Sequence, residues 1–164
     1  EESNYNKYLA FNDLMTLDHG LRGEVDRQTA LTALYRNKEM LTGFIGGKCR
    51  KCGTLQFPKS KICVNPNCGE FHSQDDHPFA DMPATVQSWT ADNLTYSVEP
   101  PQHFGMVVFQ EGGRLMSDLT DVEVGGVEVG MPMRMMFRVK EVDGQRGFTR
   151  YFWKAAPDFT KDSG

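Results

Sequence analysis

The sequence predicts a mainly β protein with a helical arm, a small unit held together by four cysteines and a five-stranded barrel. Three observations support this prediction. Apolar residues recur at helical spacing over residues 3–43, all four cysteines fall between positions 49 and 68, and from residue 84 the hydrophobic period changes to two. The chain therefore divides into a helical arm (1–43), a cysteine unit (44–80) and a barrel with a C-terminal tail (81–164).

The composition is that of an ordinary globular protein, with 39% hydrophobic and 24% charged residues in 164. No run approaches the roughly 18 apolar residues of a membrane span, and no charged-then-apolar leader is visible, so we expect a soluble, cytoplasmic protein without a membrane partner. The first residue is Glu1 rather than Met, so the sequence leaves open whether a leader has been removed. A net charge of -4 argues against a general binder of nucleic acid.

The arm reads as two helices separated by the glycine-containing stretch 18–23. The apolar face of the first is formed by Tyr5, Tyr8, Leu9, Phe11 and Met15. Asp26 can cap the second helix, which we expect to end at Gly43. These apolar stripes either pack over the cysteine unit or dock on a partner protein.

The cysteines are spaced as Cys49-x2-Cys52, ten residues, then Cys63-x4-Cys68. Two short pairs joined by a strand or two of chain are typical of a zinc ribbon, in which four thiolates surround the ion. Four sulfur ligands leave no open position, so the zinc would be structural. Two disulfides or a redox pair are the alternatives, and His72 is the one competitor as the fourth ligand.

The segment FHSQDDHPF (71–79) holds Asp75, Asp76 and His77, which could be read as a second metal cluster. The segment is polar and aperiodic and carries a proline near its end. We therefore expect a solvated connector there.

Five short runs have strand character, at 84–90, 105–110, 113–119, 133–140 and 148–154. Five such strands suit a small barrel of the OB type. Gly112-Gly113 marks a hairpin, and Asp143-Gly144 opens the last turn. In the fourth run Met133, Met135, Phe137 and Val139 share one face, which we expect to be barrel core.

Several motifs follow one another in a defined order, namely Cys-x-x-Cys-Gly (49–53), Phe57-Pro58, Trp89-Thr90, EPPQHFG (99–105), Gly130-Met131-Pro132 and YFWK (151–154). In this order the chain resembles the acyl-CoA-associated family of rubredoxin-like zinc ribbon and OB-fold proteins, a domain of unknown function that accompanies thiolase-like proteins. The resemblance covers about residues 34–153. The arm departs from it, being longer than the single short helix usual in the family.

The resemblance implies a hetero-oligomeric accessory subunit of a thiolase, or of a thiolase-fold aldolase, that acts on acyl-CoA esters. A narrower possibility is the small subunit of a benzoylsuccinyl-CoA-type thiolase. No catalysis is expected from this chain alone, because every cysteine is committed to the ribbon and no other nucleophile motif is present.

Two segments are suited to line a site for coenzyme A or acyl-CoA beside such a partner. Residues 57–61 are fixed at both ends by the cysteine pairs, and the loop 96–104 contains two consecutive prolines that restrict it. The predicted contact residues are Phe57, Lys59, Lys61, Tyr96 and Phe104.

Two rival functions remain. Ribbons and OB-folds also bind single-stranded nucleic acid, and basic residues at 50, 51, 59 and 61 could serve that purpose, although the net charge of -4 opposes it. A protein-only scaffold that never touches substrate is the other.

Overall fold

The computed structural model describes residues 31–94, 97, 100–144 and 147–159. The chain forms two compact units, Glu1–Asn37 and Lys38–Gly164. Helix α1 (Leu31–Arg36) belongs to the first unit and helix α2 (Lys38–Gly43) to the second. The single second helix predicted for the arm is thus interrupted at Asn37, a residue type that favours turns. The first predicted helix and the Asp26 cap lie outside the described residues.

A three-stranded antiparallel sheet forms the cysteine unit. Its strands are β1 (Ile45–Cys49), β2 (Leu55–Gln56) and β3 (Gln74–Pro78), in the order β2-β1-β3. The prediction of a solvated connector at 71–79 was therefore wrong, because most of this segment forms strand β3, which pairs with β1 along the whole length of β1. Its polar side chains do not prevent this, since Asp75 and Asp76 are both exposed and form ion pairs with Arg50 and Lys59.

The barrel contains all five predicted strands. They are β4 (Ala84–Asp92), β5 (Gln102–Phe109), β6 (Arg114–Asp118), β7 (Pro132–Asp143) and β8 (Phe148–Pro157). Their order is β6-β5-β4-β7-β8, with antiparallel neighbours. A parallel bridge between Leu119 and Ala155 joins the end of β6 to β8 and closes the sheet. The predicted OB-type barrel is confirmed.

One hydrophobic core serves both the cysteine unit and the barrel. Phe79, which is fully buried, follows β3 and lies within 5.1–6.5 Å of the rings of Phe44, Phe57 and Phe109. Phe44 and Phe57 come from the cysteine unit and Phe109 from β5. The two predicted parts are therefore packed as a single body.

No helix in the described part of this chain has the length and apolarity to span a bilayer.

The predicted methionine face of the fourth run is only half buried. Met133 and Met135 lie in the core, but Phe137 is 40% and Val139 57% exposed, so the core prediction was wrong for these two. The reason is the pairing. β4 pairs with β7 only at Pro132 and Met133, whereas β8 accompanies β7 to its end, so the β7–β8 hairpin continues beyond the contact with β4.

Candidate metal centre

Two tight turns present the four thiols. In the first, the amide of Gly53 donates to the carbonyl of Cys49 at 2.8 Å, and Gly53 has a φ of 75°. In the second, the amide of Cys68 donates to the carbonyl of Asn65 at 2.9 Å, and Gly69 has a φ of 54°. Glycine adopts these left-handed conformations without strain, which explains its position directly after Cys52 and Cys68.

The four sulfurs form one cluster, in which all lie within 4.8 Å of one another. The Sγ atoms of Cys49 and Cys68 are 3.9 Å apart, and those of Cys52 and Cys63 are 3.5 Å apart. A tetrahedron with metal–sulfur bonds of about 2.3 Å has edges of about 3.8 Å. The arrangement therefore fits one tetrahedral ion of the size of zinc.

The electrostatics of the cluster also favour a cation. The side chain of Ser73 lies 3.2 Å from the sulfur of Cys49 and is the main cause that lowers the pKa of this thiol to about 6. A contact with Thr54 lowers the pKa of Cys52. At Cys63 the backbone of Asn65 lowers the pKa, but burial and the neighbouring thiols outweigh it and raise the value to about 12. Four thiolates this close need a positive ion between them.

Ser73 and Thr54 are functional residues that the sequence did not reveal. Both hydroxyls lie 3.2 Å from a sulfur and can donate a hydrogen bond to it once it is a thiolate. Thr54 directly follows the Cys-x-x-Cys-Gly motif, and this position in the sequence could have indicated that it lies near the thiols. Ser73 reaches the cluster only because β3 pairs with β1, which the sequence had not predicted.

His72 lies outside the cluster of possible ligands in the described residues. Its backbone has a φ of 53°, its amide donates to the carbonyl of Lys61 at 2.7 Å, and its ring meets Phe71 edge-on. His77, Asp75 and Asp76 form no ligand group among those residues either.

Ion pairs occupy most of the basic residues around the ribbon. Arg50 pairs with Asp75 at 2.8 Å, Lys51 with Glu70 at 2.5 Å and Lys59 with Asp76. Lys61 is exposed and has no ion-pair partner in the described part of the chain. It lies with Lys59, His72 and Gln74 around a cavity of about 430 Å³.

The predicted coenzyme A contacts fall into separate groups. Phe57 is half-buried and packs against Phe44 with ring centroids 4.4 Å apart, so it is largely part of the core. Phe57 lies beside the turn between β5 and β6. Phe104 is half-buried on β5, five residues before Phe109 at the end of the strand, so about 17 Å of strand separates Phe104 from that turn. Tyr96 lies outside the described residues.

The β7–β8 hairpin presents a further surface that the sequence did not identify as a site. We call its exposed apolar side chains the hairpin face, which consists of Phe137, Val139, Val142 and Tyr151. The rings of Phe137 and Tyr151 stack at 4.9 Å, and Phe137 also contacts Trp153, whose indole nitrogen donates to the carbonyl of Leu41 at 3.0 Å. A bulge between Val139 and Glu141 keeps Val142 on the same side as Val139.

Comparison with known families matches both halves of the second unit. Residues 43–72 match the model described as "ChsH2, rubredoxin-like zinc ribbon domain", and residues 77–138 match "ChsH2, C-terminal OB-fold domain". These matches agree with the observed order of ribbon and barrel.

Curated relatives and a solved structure extend the likeness over most of the chain. A "DUF35 domain-containing scaffold protein" of Pyrococcus furiosus is 32% identical over 127 residues, which cover 75% of this chain and 87% of the relative. Another, from Methanothermobacter thermautotrophicus, is 27% identical over 132 residues, or 79% of this chain and 97% of the relative. A chain of the solved "Ltp2-ChsH2(DUF35) aldolase" has the same fold, with a TM-score of 0.56 and 22% identity over 79% of this chain and 95% of that one.

Proposed function

Because the chain belongs to the family of DUF35 domain-containing scaffold proteins, we propose that it is a non-catalytic accessory subunit of a thiolase-like enzyme, either a thiolase or a thiolase-fold aldolase. The structurally similar "Ltp2-ChsH2(DUF35) aldolase" is an aldolase with a DUF35 component, which supports this choice of partner. The enzyme would act on acyl-CoA esters, with the partner supplying the catalytic groups.

Zinc is the metal that we assign to the four cysteines. The sulfur set, the edge lengths of 3.5 and 3.9 Å and the match to a zinc ribbon model support this assignment. The ion completes its coordination with sulfur, so it holds the two turns together and offers no position for water or substrate. Cys49, Cys52, Cys63 and Cys68 are then structural residues rather than nucleophiles.

The hairpin face is the main observation that supports the assignment of this chain as a subunit of a larger complex. Phe137 and Val142 are apolar and yet 40% and 72% exposed. They lie on one side of a hairpin on which the rings of Phe137 and Tyr151 stack. Contiguous apolar patches of this kind mark protein interfaces, and aromatic side chains commonly supply most of the binding free energy. We place the thiolase-like partner on this face.

Replacing both Phe137 and Tyr151 by serine should weaken assembly with the partner at least about thirtyfold, because two aromatic anchors leave the interface. Analytical ultracentrifugation of the mixed proteins measures this. The matched control is Met116→Ser on β6, whose side chain is 53% exposed. Wild-type affinity in the double variant, with zinc content and melting temperature retained, would remove the hairpin face from the interface.

The cavity beside Lys61 is the place that we propose for a phosphate of coenzyme A. Lys59 and Lys61 supply positive charge, and the buried side-chain amide of Gln74 has no hydrogen-bond partner among the described residues. Such groups suit a phosphate oxygen. Lys59 is already engaged by Asp76, which makes Lys61 the more informative position to change.

Lys61→Glu should raise the Michaelis constant of the assembled enzyme for acyl-CoA about tenfold, because it replaces an attraction to phosphate by a repulsion. Steady-state kinetics on the complex measures the change, with Lys38→Glu on the exposed surface of α2 as the control. If the constant does not move in a complex shown to be intact and zinc-loaded, Lys61 belongs to the solvated surface and the scaffold-only function is favoured.

Binding of single-stranded nucleic acid is the alternative function. The ion pairs of Arg50, Lys51 and Lys59 and the net charge of -4 count against it. In addition, Trp153 packs against Phe44 at 4.9 Å and so is not free to stack on a base.

A further inference from the structure

A second cavity, of about 550 Å³, lies where β5, the end of β6 and the β7–β8 hairpin come together. Its wall includes His103, Phe152, Lys140 and Lys154. It shares no lining residue with the cavity beside Lys61 and includes none of the four cysteines. Its volume is within the range of about 300–1,000 Å³ found for sites that hold small molecules.

His103 distinguishes this cavity from an ordinary surface depression. It is only 6% exposed and lies on the inward side of β5, where its neighbours at alternate positions are also buried. Its Nε2 atom is buried and has no hydrogen-bond partner in the described part of the chain. A buried imidazole nitrogen without a partner is unfavourable, and an oxygen of a bound molecule would satisfy it.

The charges around the cavity favour one negative charge in the bound molecule. Two lysines, Lys140 and Lys154, and two aspartates, Asp118 and Asp121, line the cavity. Asp121 is already paired with Arg138 at 3.2 Å, so Asp118 is the one carboxylate without an ion pair among the described residues that line the cavity. A phosphate dianion would exceed this surplus of one positive charge, whereas a carboxylate balances it.

The apolar part of the wall indicates what the rest of the molecule is. Leu119, Val122, Val139 and Phe152 line the same cavity, and the ammonium of Lys154 lies 5.0 Å from the centre of the Phe152 ring. A flat apolar body can lie against that ring while its charged end reaches the ammonium group.

We propose that this cavity binds a small carboxylic acid with an apolar body, or the corresponding end of a larger molecule. The carboxylate lies between Nε2 of His103 and the ammonium group of Lys154, and the apolar body packs against Phe152. Val139 belongs both to this cavity and to the hairpin face, but the proposed site consists of residues of this chain and is tested on this chain alone, so the outcome does not depend on the thiolase-like partner.

Benzoate is a suitable probe. In the zinc-loaded full-length chain, benzoate should shift the imidazole NMR signals of His103 in a saturable manner, with a dissociation constant of about 1 mM. Lys154→Ala should weaken binding about tenfold, since it removes one charge-assisted contact. Lys38→Ala should bind like the wild type. The His103→Gln variant identifies the histidine signals, because the chain contains only four histidines.

Three outcomes would overturn the proposal. One is the absence of any saturable shift at His103. A second is wild-type affinity for benzoate in a folded Lys154→Ala variant. The third is an equal or stronger response to inorganic phosphate, which would assign the cavity to a different class of anion.

Discussion

Replacing Cys68 by serine should abolish zinc binding and unfold the ribbon. Metal affinity in such sites supplies folding free energy directly, about 10–16 kcal/mol in small zinc peptides at neutral pH. Because the ribbon shares Phe44, Leu55 and Phe79 with the barrel core, the loss should also destabilise the barrel. A net loss of only about 3 kcal/mol would lower the melting temperature by about 10 °C. Elemental analysis and thermal unfolding followed by circular dichroism measure both effects.

His72→Ala is the matched control for the zinc prediction. Its side chain is exposed and lies outside the cysteine cluster, so the variant should keep one zinc ion and a melting temperature close to that of the wild type. Strong chelation of the wild type should reproduce the Cys68→Ser phenotype. Full zinc in Cys68→Ser together with its loss in His72→Ala would contradict the ligand set.

Replacing Phe79 by alanine should destabilise the whole second unit by about 3–5 kcal/mol, the usual cost of removing a buried phenylalanine. The ring is fully buried and contacts rings from both the ribbon and the barrel. A single cooperative transition, shifted down by about 10 °C or more, is therefore expected. Urea unfolding followed by fluorescence and circular dichroism measures the loss and its cooperativity.

Phe71→Ala serves as the control for this core prediction, because Phe71 is 57% exposed and follows the second cysteine turn. It should change the free energy of unfolding by less than about 1 kcal/mol. If Phe79→Ala unfolded in two separate steps, with the barrel at its wild-type stability, the ribbon and barrel would not share a core as described.

Patterns with a strong local cause could be predicted from the sequence. Thiol pairs with glycine directly after Cys52 and Cys68 need no tertiary information, since each turn is local and the metal chemistry fixes the ligand type. The barrel strands also carried their signal locally, in alternating apolar residues bounded by glycine and proline. Gly112 and Gly113, with φ of 118° and 87°, formed the predicted hairpin for this reason.

Features that depend on pairing between distant segments could not be predicted. Every residue of strand β3 before Pro78 is polar, and the strand is held by its ladder to β1, so its sequence resembles a loop. The exposure of Phe137 follows from the point at which β4 stops pairing with β7, which no periodicity in β7 reveals. His103 is one of four histidines in the sequence, and only the burial pattern of β5 shows that it lies on the inward side of the strand.

The identity of the protein that co-purifies with the untagged chain tests the proposed function most directly. We expect a thiolase-like protein, present in a fixed ratio and retained through a wash with high salt, because the hairpin face is apolar rather than charged. Mass spectrometry of the washed complex identifies the partner. Recovery of the chain without a thiolase-like protein, or with nucleic acid that salt removes, would contradict it.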